Sequence, residues 1–101
     1  MVGIQILFNV SPHKQLEFVQ LADSLLAKPR AKGCIMRRLF EEHGHEGRFV
    51  WLERWTEAER LREHFDSDEH RTLMGAIEVL GSLQSTRVVE IRASACERER
   101  G

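Results

Sequence analysis

The sequence predicts an α+β domain, a four-stranded antiparallel sheet with its helices on one face. Three observations predict it. Apolar residues recur at strand spacing in four separate stretches. They recur at helical spacing after the first stretch and after the third. The second and third stretches are joined by a connection short enough for a hairpin. A chain of 101 residues suffices for one domain and not two.

The first strand is read from Val2, Ile4, Ile6, Phe8 and Val10, which alternate with Gly3, Gln5, Leu7 and Asn9. Ser11-Pro12 then punctuates the chain, Ser11 as an N-cap candidate and Pro12 near the first helical position. From His13 to Lys28 the period changes to that of a helix. Phe18, Leu21, Ala22, Leu25 and Leu26 form its apolar stripe, and Pro29 ends it. The second strand is expected over Gly33–Glu42 and the third over Arg48–Trp55, with His43–Gly47 as the turn between them. Thr56-Glu57-Ala58-Glu59 has the spacing of a capping box and opens a short helix with Ala58, Leu61 and Phe65 inward. Asp66-Ser67-Asp68-Glu69 restarts it, Leu73, Met74, Ile77 and Leu80 line the new segment, and Gly81 closes it. Leu83–Arg92 is the last strand, and a charged tail over 93–101 is expected to be disordered, leaving one domain over 1–92. The order βαββαβ, with the second helix broken, is that of a ferredoxin-like plait.

Composition narrows the function. A net charge of −1 with interspersed signs gives nucleic acid no cationic face to grip. Two cysteines, Cys34 and Cys96, make no disulfide framework and fit a reducing, cytoplasmic setting. The N-terminal MVGIQILFNV has no basic leader and is too short to span a bilayer, so no membrane association is expected.

The strands are apolar on both faces. Phe49, Trp51 and Trp55 share one face of the third strand, and Val50 and Leu52 the other. On the second strand, simple alternation sets Cys34, Met36 and Phe40 against Ile35 and Leu39; Leu7 adds to the weaker face of the first. One face is covered by helices, so the other calls for a second cover. The expected cover is the same sheet of another copy, giving a homodimer packed sheet to sheet. Arg37, Arg38, Glu53 and Arg54 interrupt this pattern, and could pair across strands or mark strand ends.

Gly33-Cys34, Gly47-Arg48-Phe49, Glu53-Arg54-Trp55, Glu57-Ala58, His64, and Ser67 followed by Glu69-His70 are short segments that keep their order and spacing along the chain. In these the chain resembles the antibiotic biosynthesis monooxygenase superfamily, the dimeric α/β-barrel group. The likeness spans residues 2–92 and implies a cavity between sheet and helices in each subunit. It implies an enzyme that oxidises phenols or hydroquinones with no flavin, haem or metal, although other members degrade haem, isomerise small carbonyl compounds or have no known activity. In the haem-degrading branch an Asn on the first strand works with a Trp and a His on the helical segment. Asn9 matches the first, but position 64 is His and the other position falls near Met74, so haem degradation is disfavoured.

The candidate catalytic residues are His64 and His70. His64 lies about 60° outside the Ala58–Leu61–Phe65 stripe, at the rim of a buried face, where an imidazole is suited to general-base work near neutral pH. His70 shares the stripe of Leu73, Met74 and Ile77, and the helix N-terminus favours its neutral form. Trp55 and Trp51 are either core aromatics or stacking surfaces for a planar substrate, and Met74 would complete the pocket. Asn9 would stabilise oxyanion charge or serve a strand-end turn. His43 and His45 read as a solvated turn rather than metal ligands. The expected partner is a small aromatic molecule, with no cofactor and no metal. The alternative is a non-enzymatic dimeric module that binds a small molecule.

Overall fold

The structure is a computed structural model and describes residues 1–92. The predicted tail over 93–101, with Cys96, lies outside the described residues. The four strands are β1 (Val2–Val10), β2 (Cys34–Glu41), β3 (Arg48–Trp55) and β4 (Gly81–Glu90). The helices are α1 (Gln15–Ala27), α2 (Ala58–His64) and α3 (Asp68–Leu80), with a 3-10 turn at Pro12–Lys14. All strand pairs are antiparallel in the order β2-β3-β1-β4, the ferredoxin-like plait expected from the element order.

The register sorts the side chains. Val2, Ile4, Ile6, Phe8 and Val10 of β1 and Phe49, Trp51 and Trp55 of β3 are buried beneath the helices. They meet Phe18, Ala22 and Leu25 of α1, Leu61 of α2, and Leu73 and Ile77 of α3. Each large apolar side chain so buried contributes about 1.5–3 kcal/mol of transfer free energy. At one end of this core the rings of Phe8, Phe18 and Phe49 meet with centroids 5.0–5.9 Å apart. The other end of β3 carries Trp51, Glu53 and Trp55.

Several local expectations give way to tertiary contacts. Ser11 makes no side-chain cap, because the chain enters a 3-10 turn before α1. Lys28 leaves the helix in extended backbone, as a residue before proline must. The Thr56 capping box does not form. The Thr56 amide instead donates to the Gly33 carbonyl at 2.8 Å, and Glu57 precedes the helix without a side-chain cap. Ala58 is exposed, so the buried side of α2 is centred on Leu61 and His64. Ser67 does cap α3, its Oγ accepting from the His70 amide at 3.2 Å. Gly81 is extended and begins β4 directly, rather than ending α3 in a left-handed turn.

A bulge at Ile35 changes the faces of β2. Cys34 pairs with Trp55 on the helix side, whereas Met36, Arg38 and Phe40 pair with Arg54, Leu52 and Val50 on the other. Cys34 therefore does not share a face with Met36 and Phe40, as simple alternation had suggested. Gly33 precedes β2 and Gly47 precedes β3, with φ of 92° and 84°. A Cβ at Gly33 would also lie 2.9 Å from Arg60 Cγ, and one at Gly47 2.9 Å from the Val10 carbonyl oxygen.

Candidate functional site

Strand alternation that brings Trp51 and Trp55 into the core brings Glu53 with them. Its carboxylate is 4% exposed in the middle of an apolar face. Both flanking indoles turn toward it: Trp51 Nε1 donates to Oε2 at 2.8 Å and Trp55 Nε1 donates to Oε1 at 2.9 Å. The third partner is His64, whose Nε2 lies 3.5 Å from Oε2. Burial alone would raise the carboxyl pKa. The hydrogen bonds from His64, Trp51 and Trp55, with the positive charge available on His64, outweigh it and hold the group below its ordinary value.

His64 is 7% exposed, so it is a core residue and not the solvent-touching rim residue its helical angle suggested. It packs against Trp55 with ring centroids 4.8 Å apart. Its Nδ1 is 3.2 Å from Ser67 Oγ. That hydroxyl already accepts from the His70 amide, so its own proton is free to point at Nδ1. The imidazole proton then sits on Nε2, facing Glu53. In the protonated state Ser67 becomes the acceptor, and both ring nitrogens remain satisfied.

His70 follows in the first turn of α3, its ring 5.6 Å from that of His64 and 5.1 Å from Phe65. Burial, then the charge of His64, push its pKa down; the charge of Glu53 opposes them. Its Nδ1 is buried without a partner. Residues Leu25, Arg37, Trp51, Glu53, His64, Glu69, His70 and Leu73 enclose a cavity of about 10 Å³, room for one water-sized group.

The fold thus gathers four of the six expected site residues. Trp51, His64 and His70 line the cavity, and Trp55 backs it through Glu53 and His64. Asn9 does not join them. It lies on the opposite face of the sheet, between Arg48 and Ser82 in register. Met74 lines a separate surface groove with Glu78, Gly81, Ser82 and Leu83. Two further residues belong to the site. Glu53 was legible from alternation, since it falls between two buried tryptophans on one strand. Arg37 was not, because a guanidinium is buried there only through its partners on β3 and α3, which lie far from it in sequence. Arg37 pairs across the sheet with Glu53 and donates to Glu69 Oε2 of α3 at 3.1 Å. Among the described residues no group of three or more His, Cys, Asp or Glu is arranged to hold a metal, and no helix is long and apolar enough to cross a membrane.

A sequence profile of the antibiotic biosynthesis monooxygenase family matches residues 1–76. The chain belongs to that family. Its relatives include the Bacillus subtilis (strain 168) protein named "Putative monooxygenase YcnE", 37% identical over 65 residues, which are 63% of this chain and 68% of that protein. Among solved structures it is similar to Rv0793 from Mycobacterium tuberculosis, with a TM-score of 0.79 at 23% identity, covering 93% of this chain and 97% of that one. It is also similar to SnoaB, a cofactor-independent oxygenase from Streptomyces nogalater, with a TM-score of 0.69 at 16% identity and 93% and 95% coverage. At such identities these two likenesses speak for the fold. In this member of the antibiotic biosynthesis monooxygenase family, the Glu53–His64 pair and its two tryptophans occupy the space between sheet and helices.

Proposed function

We propose that this chain is a cofactor-independent monooxygenase that oxidises a small aromatic substrate, a phenol, quinol or polyketide-like compound, with O₂. The observation that carries the reading is one cavity bounded by a buried acid–imidazole pair, an indole, and a second imidazole with a free nitrogen. His64 has both ring nitrogens occupied, whereas His70 Nδ1 is open. His70 therefore takes the substrate proton, and His64, held by Glu53 and Ser67, orients the site. The depressed pKa of His70 keeps it in the accepting form at neutral pH.

The electron-rich anion then passes an electron to O₂, and the two radicals combine in a new C–O bond. His70 returns its proton to the peroxide. Loss of the hydrogen on the attacked carbon with O–O cleavage leaves a C=O group and water. One oxygen atom enters the product and the other leaves as water, the substrate supplying all four electrons. No external reductant is required.

We also propose that the protein works as a homodimer packed sheet to sheet. Leu7, Val50, Leu52, Met36 and Val89 lie on the face away from the helices, and Phe40 on that face is 46% exposed. Oxygen consumption with a panel of quinols and anthrones tests the activity. Uptake matched by equimolar product is expected, and none with any of them would overturn it. The small volume of the cavity favours a second reading, a module that binds without turnover. Thermal stabilisation by such compounds in the absence of oxygen uptake would select it.

A further inference from the structure

Among the described residues, three buried side-chain nitrogens have no partner: Arg37 Nε, His70 Nδ1 and Arg54 Nε. Buried donors and acceptors are rarely left unmatched, so each asks for an explanation. Arg54 lies on the sheet face away from the helices. The other two belong to residues that line the same cavity. That cavity has the volume of a single hydroxyl or water.

Arg37 is held as a binding group would be. Its side chain is 5% exposed, its Nη1 donates to Glu69 Oε2, and its Nη2 donates to the Lys28 carbonyl at 2.6 Å. Those two contacts fix the guanidinium plane and leave the Nε–H unused. Arg37 also lines an open groove of about 870 Å³ beside β2, together with Leu26 and Leu39. The guanidinium therefore stands between a hydroxyl-sized chamber and a space wide enough for a ring.

We propose that Arg37 and His70 form an oxygen-anion subsite for the hydroxyl of a phenol or enol, with the ring lying on the groove side of Arg37. The substrate hydroxyl gives its proton to His70 Nδ1, and the oxygen keeps its negative charge against the Arg37 Nε–H. Glu53 and Glu69 set two carboxylates beside one guanidinium, and so limit the preference for an anion that Arg37 creates. A neutral phenol that ionises in place leaves the total unchanged. This inference rests on the reading of the cavity as the substrate site, and it adds the residue that stabilises the anion.

The test uses binding, not turnover. 4-Nitrophenol reports its own ionisation by the colour of the phenolate, so a spectral titration with the full chain separates affinity for phenol from affinity for phenolate. The wild type should bind the ionised form about tenfold better, moving the bound probe's ionisation midpoint about one pH unit down. Arg37→Gln should abolish that preference. Glu69→Gln, which removes the counter-charge and leaves Arg37 intact, should enlarge it. Because Arg37→Gln could fail to fold, Glu69→Gln provides an independent arm. Absence of binding, equal affinity for the two forms in the wild type, or a preference unaltered in either folded variant would overturn the proposal. An Arg37-dependent preference without oxygen uptake would sink the monooxygenase reading and leave the subsite standing.

Discussion

Glu53 Oε2 and His64 Nε2 face each other at 3.5 Å, with 2% and 4% of their side chains exposed. One is a strand residue from the middle of the sheet and the other ends the first helix beyond it. Their pairing ties α2 to β3 by a polar contact inside an otherwise apolar layer. A buried carboxylate with three donors is stable only while all three remain.

Glu53→Gln should therefore destabilise the fold by about 2–4 kcal/mol. An amide has one acceptor oxygen, so its NH₂ must face either an indole N–H or the His64 proton. Urea denaturation should show the lower midpoint with an unchanged slope. A loss below 0.5 kcal/mol, in the range of about ±0.5 for surface changes, would contradict the donor set described for Glu53.

Ser67→Ala should cost about 1–2 kcal/mol, since one hydroxyl both caps α3 and holds His64 Nδ1. Ser67→Asn restores the cap and should recover part of that loss. Thermal melts of the two variants side by side would show whether the cap accounts for most of the effect.

Stability should fall as pH drops, in two windows. His70 has a folded pKa below its ordinary 6.5, so below that pH the unfolded chain binds a proton the folded chain refuses. Glu53 has a folded pKa below its ordinary 4.5, so its contribution is complete above that value and is lost as pH falls through the folded pKa. His70→Gln should remove the first window and leave the second. Unfolding free energies measured from pH 7.5 to pH 3.5 would separate them, and a profile for His70→Gln identical to wild type would refute the assignment.

In oxygen-uptake assays, His70→Ala should lower kcat by about 10²–10⁴-fold, the usual worth of a general base. Loss of the Glu53 partner in His64→Ala should reduce both kcat and stability. Asn9→Ala should stay within about twofold of wild type, because Asn9 faces away from the cavity. A hundredfold loss in Asn9→Ala would place the chemistry on the other side of the sheet.

Sedimentation at micromolar concentration should give the mass of two chains. Leu52→Glu, which puts a charge on the half-buried face opposite the helices, should give one. A wild-type monomer would remove the case for a second copy as the cover of that face.

Local periodicity was enough to order the elements. The alternation in β1 and β3 and the stripes of α1 and α3 reflect which side of a short segment water avoids, and that is written in neighbouring residues. The same alternation held Glu53 between Trp51 and Trp55, so a buried acid was readable before any fold. The bulge at Ile35 was not readable, because one extra residue in β2 is visible only against its partner strand, and it alone sets Cys34 on the face of Arg37 and Leu39. The burial of His64 was likewise undecided by its helical angle, since α2 turns Leu61 into the core and His64 toward the Glu53 carboxylate rather than burying Ala58. Sequence by itself determined the plait, its order and the apolar faces, through contacts between near neighbours. Tertiary structure decided the site: Arg37, Glu53, His64 and His70 lie on separate elements, and only the packing of α2 and α3 over β2 and β3 gives their charges and protons one another as partners.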